Sequence, residues 1–322
     1  HQGAHGPHRR RDDQIRRRPG SPLARALTDL GASVSSTRNN GCAPFVVQGR
    51  LCGGKTSIEA VTSQYLSSLL LNTPLADGDT EINVPLLNEQ PYVEMTLDWL
   101  QRQGVHIERE DFRWFRIRGG QQYAPVDRDI PADFSTATFF IAGGALPGND
   151  IVLHGLDMTD TQGDKAVIDY VRAMGADVDI SENGIRVKSA DLIGCELDLN
   201  ATPDALPMLA VLACFARGTT RLVNVPQARL KETDRIAVMR TELTKLGARI
   251  TELPDGLVIE ESPLQAGVVE GHGDHRVIMA LAIGATQLSG VTRVRGCEAM
   301  SVTYPGFVDA VTHLGGKVRL SN

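Results

Sequence analysis

Two short runs concentrate the reactive side chains of this sequence: Lys231-Glu232-Thr233-Asp234-Arg235 and Gly273-Asp274-His275-Arg276. The first packs four charges into five residues, and a solvated turn would account for it on composition alone. Arg235 and Arg276, however, both stand where a helix is expected to begin. A cation there opposes the helix dipole, which makes sense if it reaches for an anion. Asp204 heads another, nearly apolar helix, and a carboxylate among lysine and arginine suits a base or an orienting group. Thr62-Ser63-Gln64 opens a further helix with hydroxyls and an amide. Ordinary capping explains Thr62, while hydroxyl, amide and dipole together suit a phosphate or polyol. Three possible ligands at His272, Asp274 and His275 cannot all face one ion from a helix start, so no metal is expected; Asp274 reads as an N-cap.

The elements that position these residues repeat. An amphipathic helix, a glycine and a short alternating strand recur at Gly31, Gly104, Gly175, Gly247 and Gly315, with spacings of 73, 71, 72 and 68. The glycine serves as a left-handed helix C-cap. Leu23/Leu27/Leu30 and Ile236/Met239/Leu243/Leu246 are typical of the buried faces. Hairpin turns follow at Asn40-Gly41, Asn183-Gly184 and Asp255-Gly256. A second, more apolar helix recurs with polar N-caps at Thr62, Asp133, Asp204 and Asp274, spaced by 71, 71 and 70. Such symmetry aims several helix N-termini the same way and makes a shared anion pocket. The order within a unit reads strand–helix–strand–helix–strand–strand, an α/β repeat. Five helices of one type against four of the other imply that the chain starts inside a repeat. The expected organisation is a basic arm over residues 1–17, an incomplete first domain over 18–130 and a second domain over 131–322, with the boundary near Ile130-Pro131.

Composition narrows the classes. The net charge of −6 disfavours nucleic acid as a partner, although residues 1–18 carry six arginines and two aspartates. The longest nearly apolar stretch, Ala205 to Ala216, is too short to cross a bilayer. No apolar segment of the secretory kind follows the basic start. Five cysteines without C-x-x-C spacing point to a reducing, cytoplasmic setting. Gly49 to Thr56 matches the phosphate-loop pattern G-x-x-x-x-G-K-[ST]. That motif needs a helix starting at its Lys-Thr. Here Thr56 to Val61 reads as a strand, so the match is expected to be fortuitous.

Together with Pro203-Asp204-Ala205, Thr303-Tyr304-Pro305 and the stretch from Asp12 to Pro19, these motifs resemble the signatures of the 5-enolpyruvylshikimate-3-phosphate synthase family over residues 12–320. The resemblance implies two inside-out α/β barrel-like domains of βαβαββ units, the first incomplete here. It implies transfer of enolpyruvyl from phosphoenolpyruvate to the 5-hydroxyl of shikimate 3-phosphate, on the route to aromatic amino acids. No cofactor is implied, and the expected form is a monomer without nucleic-acid or membrane partners.

The resemblance makes Asp204 the acceptor of the hydroxyl proton and Glu232 the group that moves a proton at the methylene carbon. Thr62, Ser63, Gln64, Gln227 and Lys231 would hold shikimate 3-phosphate, and Arg18, Arg235 and Arg276 would clamp phosphoenolpyruvate. Bidentate guanidinium suits carboxylate and phosphate, hence three arginines.

Departures from the family pattern are specific. Gln227 stands where many members have asparagine, Val302 where many have a lysine, and Glu89 where a serine often meets the substrate phosphate. The family's N-terminal Lys-Ser motif and its N-[AS]-G-T segment have no counterpart in this sequence. From that, the chain by itself is expected to turn over poorly. The alternative is a non-catalytic remnant of the family, with phosphate-loop nucleotide binding a distant third.

Overall fold

Glycine at the end of each amphipathic helix sets the architecture. In the structure, a computed structural model that describes residues 15–321, all five repeat glycines take positive φ: Gly31 at 103°, Gly104 at 78°, Gly175 at 97°, Gly247 at 97° and Gly315 at 92°. Each terminates a helix by a left-handed turn that a side chain would strain. The basic residues Arg9, Arg10 and Arg11 and the run Asp12-Asp13-Gln14 lie outside the described residues.

The chain divides into two compact units, one ending at Ile130 and including Thr161–Gly163, the other formed by Pro131–Asp160 and the chain from Asp164 onward. The first unit begins with α1 (Ser21–Asp29) and an antiparallel pair, β1 (Ser33–Ser36) and β2 (Phe45–Gln48). It continues with β3 (Gly54–Ala60), α2 (Ser63–Asn72), β4 (Thr80–Leu87), α3 (Gln90–Arg102), β5 (Ile107–Glu110) and β6 (Trp114–Ile117). The four strands β3 to β6 form one sheet in the order β3-β4-β6-β5, with β3 and β4 parallel and the other pairs antiparallel. Ile58, Leu66, Leu69, Ile82 and Phe115 are among the buried residues beneath the two helices.

In the second unit α4 (Phe134–Ala145) leads into β7 (Asp150–Leu153), α5 (Val167–Ala173), β8 (Asp177–Ser181) and β9 (Gly184–Lys188), paired β7-β9-β8. Next come β10 (Glu196–Asp198), α6 (Leu206–Ala213), β11 (Thr219–Val223), α7 (Arg235–Lys245), β12 (Arg249–Leu253) and β13 (Gly256–Glu260). Their sheet, β10-β11-β13-β12, repeats the pairing senses of the first unit's four-stranded sheet. The βαβαββ order is therefore realised completely twice. A parallel pair, β14 (Val268–Glu270) and β15 (Arg293–Arg295), flanks α8 (His275–Ala285), and α9 (Met300–Thr303) and α10 (Phe307–His313) follow. The sheets are separate and none closes on itself among the described residues. The fold is α/β, as the repeat implied.

Three apolar helices, α4, α6 and α8, pack against one another in the core of the second unit. Every residue of α6 is buried, as expected of a helix with no polar face.

Several local expectations shift. Asp133 and Asp274 cap their helices, accepting from the backbone N–H of Ser135 and Thr136 and of Arg276 respectively. Asp204 does not cap: Pro203 starts a 3-10 turn, Pro203–Ala205, one step early, and the flanking position falls to Thr202. Thr62 occupies the N-cap position of α2, but its hydroxyl makes no capping bond. The two tight hairpins turn one residue earlier than expected, since Ser181 pairs with Gly184 and Leu253 with Gly256. Asn40-Gly41 lies in a longer loop between β1 and β2. Lys55 and Thr56 sit inside β3, with Lys55 paired to Glu81, so Gly49 to Thr56 is not a phosphate loop.

Candidate active site

Because α4, α6 and α8 lie side by side, the chain around their N-termini converges. Arg235, at the first position of α7, is 1% exposed and is held on three sides by carboxylates. Its Nε donates to Asp274 at 2.8 Å and its Nη2 to the other Asp274 oxygen at 3.2 Å. Nη1 donates to Asp204 at 2.7 Å, and Nη2 also to Glu232 at 2.7 Å. Four of its five N–H donors are thereby engaged. Arg276, in the first turn of α8, reaches Asp204 at 3.1 Å and donates to the Ser135 hydroxyl at 2.8 Å, over the ring of Phe139. Lys231 Nζ lies 3.6 Å from Asp204.

Three cations thus face three carboxylates, and the set is electrically balanced. Asp274 is fully buried and also accepts from the Thr233 hydroxyl at 3.1 Å. Burial alone would push the Asp204 carboxyl up. Arg276, Lys231 and Arg235 outweigh it and hold that carboxyl far below the usual range. Burial opposes and Arg235 secures the lowered value of Asp274 in the same way. Burial, with Arg235 and Arg276 nearby, pushes His275 down despite Asp274, so its imidazole is neutral near pH 7. Glu232, Asp274 and His275 bring possible ligand atoms within 4.8 Å of one another. The guanidinium of Arg235 already serves two of these three, which is the place a metal ion would need.

Outside this cage, Gln227 is buried, and its Nε2 donates to the Asn200 carbonyl at 2.9 Å. Arg229, which drew no attention in the sequence, ties Asp234 at 2.6 Å to Glu252 at 2.9 Å and to the Leu253 carbonyl at 2.7 Å. It fixes the start of α7 to the β12–β13 hairpin. Ser135 was also not foreseen. It stands two residues after its cap Asp133, the position that Gln64 and Arg276 hold after Thr62 and Asp274, so the repeat register carried the signal.

In the first unit the start of α2 is organised around Glu89, which is 1% exposed and held at φ 58°. One oxygen of its carboxylate accepts from the Thr62 hydroxyl at 3.1 Å, the Ser63 backbone N–H at 3.1 Å and the Ser63 hydroxyl at 2.8 Å. This explains why Thr62 does not cap: Glu89 supplies the oxygen that the helix start needs. Gln64 is exposed beside them. Arg18, half-buried, precedes the bridge between Pro19 and Cys42 in the same unit.

The family model described as EPSP synthase (3-phosphoshikimate 1-carboxyvinyltransferase) matches residues 11–311. The chain is 54% identical to the 3-phosphoshikimate 1-carboxyvinyltransferase of Ruminiclostridium cellulolyticum over 309 residues, spanning 96% of this chain and 73% of that protein. Against the enzyme of the same name from Acetivibrio thermocellus the identity is 53%, over 95% and 73% of the two chains. Among solved structures, EPSP synthase from Acinetobacter baumannii superposes with a TM-score of 0.79 at 27% identity, covering 96% of this chain and 73% of that one. The enolpyruvyl transferase NikO from Streptomyces tendae shares the fold, with a TM-score of 0.75 at 20% identity and coverage of 94% and 72%.

Proposed function

Because the chain belongs to the EPSP synthase family, we propose that it transfers the enolpyruvyl group of phosphoenolpyruvate to the 5-hydroxyl of shikimate 3-phosphate, releasing phosphate. It does so as a cytoplasmic monomer, on the route to aromatic amino acids, with no cofactor. Among the described residues, no helix is long and apolar enough to cross a membrane.

The observation that carries this reading is the balanced cage of Asp204, Glu232 and Asp274 with Lys231, Arg235 and Arg276. A balanced cage holds its cations ready while no substrate is bound. An incoming phosphate and carboxylate compete with Asp204 for Arg276 and Lys231, and with the carboxylates for Arg235. Arg18 completes the set of guanidiniums assigned to phosphoenolpyruvate. As the cations turn to the substrate, Asp204 loses the charges that hold its proton affinity down, and it becomes a usable base. The carboxylate is therefore basic when an anion is in place and inert otherwise.

Asp204 then accepts the proton of the 5-hydroxyl while the hydroxyl oxygen bonds to C2 of phosphoenolpyruvate. Glu232, which takes up a proton from solvent as the incoming anions draw Arg235 away from it, gives that proton to C3. The product of addition is a tetrahedral intermediate. Glu232 takes a proton back from C3, the C2–O bond to phosphate breaks, and the phosphate leaves with the proton that began on the hydroxyl. Thr62, Ser63, Gln64, Gln227 and Lys231 are assigned to shikimate 3-phosphate. Preorganised cations stabilise the charge that develops on the departing phosphate.

The test is phosphate release by the full chain with both substrates, together with mass detection of the enolpyruvyl ether. Phosphate and ether appearing in equal amounts, and only when both substrates are present, is the expected result. Absence of both over an incubation long enough for a single turnover refutes the assignment.

A further inference from the structure

Glu89 places a carboxylate on the site where an anionic ligand would have to bind. Its Oε2 takes three donors at the start of α2, from Thr62 Oγ1, Ser63 N and Ser63 Oγ, all within 3.1 Å. Thr62 and Ser63 are the hydroxyl residues assigned above to the phosphorylated acceptor, and the inference rests on that assignment. The contact is built in. The Glu89 residue is 1% exposed, and its backbone holds a left-handed conformation immediately before Gln90, where α3 begins. A second anion cannot take the same donors while this one stays. Glu89 and Ser63 are buried, so water does little to relieve the repulsion between that carboxylate and a phosphate brought to the same donors.

We propose that Glu89 is a resident competitor of the acceptor's phosphate: it occupies the hydroxyl and N–H donors at the start of α2 and sets a weak preference for phosphorylated over unphosphorylated acceptor. A phosphorylated acceptor binds by displacing the Glu89 carboxylate from Ser63, whereas a hydroxyl in the same place leaves it seated and accepts or donates beside it. Glu89 is thus a specificity-determining residue, acting through the donors it withholds.

The experiment compares the dissociation constants of shikimate 3-phosphate and shikimate for the full chain and for its Glu89→Gln and Glu89→Ser variants, by calorimetry at constant ionic strength. Gln keeps the shape and an acceptor oxygen while removing the charge, and thermal melts confirm that it folds. Both variants are expected to bind shikimate 3-phosphate about tenfold or more tightly than the parent, with shikimate altered by less than about threefold. A purely structural role for Glu89 would lower the melting point and leave this ratio alone, which would overturn the proposal. Equal tightening of both ligands would overturn it as well. If enolpyruvyl transfer occurs but the ratio is unmoved in Glu89→Gln, only this inference falls. If no variant binds either compound, the functional reading falls with it.

Discussion

Asp274→Asn changes a single atom type at the centre of the cage. The carboxylate accepts from Arg235 Nε, Arg235 Nη2, the Thr233 hydroxyl and the Arg276 backbone N–H, and it is fully buried. Asparagine keeps one acceptor oxygen and turns an NH2 toward donors that need acceptors. The cage then holds three cations against two carboxylates. Removing one partner of a buried pair costs about 3–5 kcal/mol. Asp204 and Glu232 still hold Arg235, so the lower end applies, about 3 kcal/mol. For a unit of this size each kcal/mol is worth about 2–4 °C, giving a fall of roughly 6–12 °C in the melting of the second unit. Calorimetry with urea unfolding measures it. Asp234→Asn is the control, because Asp234 also caps a helix and pairs with an arginine but is 38% exposed. It is expected to cost about 1 kcal/mol. Equal losses in the two variants would refute the argument that burial and charge balance make Asp274 costly.

Three further outcomes follow from the same geometry. Asp204→Asn should lower kcat by about 10²–10⁴ without raising KM for phosphoenolpyruvate, since it frees Arg276 and Lys231; a raised KM would contradict the competition described above. Stability should fall with acidity in two stages. His275, whose folded value is depressed, contributes stability above its ordinary 6.5 that is lost as pH falls through and below that value. Glu242, Asp274 and Asp204, also depressed, contribute stability lost as pH falls below 4.5 for the first and 3.8 for the others. Glu242 is fully buried and takes Lys245, His272 and the Glu270 N–H, so Glu242→Gln should flatten part of the lower stage in urea titrations run from pH 7 to 3. Gly256→Ala would put a Cβ 1.9 Å from the Leu222 carbonyl oxygen, and a loss of about 1–3 kcal/mol by chemical unfolding is expected.

How far the sequence carried depended on the range of the interaction. The glycine caps after five helices, the strand order and the capping by Asp133 and Asp274 were legible because each is fixed within a few residues. Turn chemistry and helix termination are local, and a repeat of about 71 residues states them several times over. The family motifs were legible for the same reason, as short runs in a set order. One local rule failed where a neighbour competed, since Pro203 began its turn a step early and freed Asp204 to face arginine instead of a helix.

What the sequence could not decide was which charges face which. Arg235 meets Asp204 and Asp274, 31 and 39 residues away, only because α6, α7 and α8 pack together. Arg276 finds Ser135 across 141 residues for the same cause. Glu89 could be read as a misplaced charge, yet packing of α2 beside α3 delivers its carboxylate to Ser63, 26 residues back. Burial then gives these pairs their weight, because a Coulomb interaction strengthens as water is excluded, and that exclusion is a property of packed helices that no short run of residues possesses.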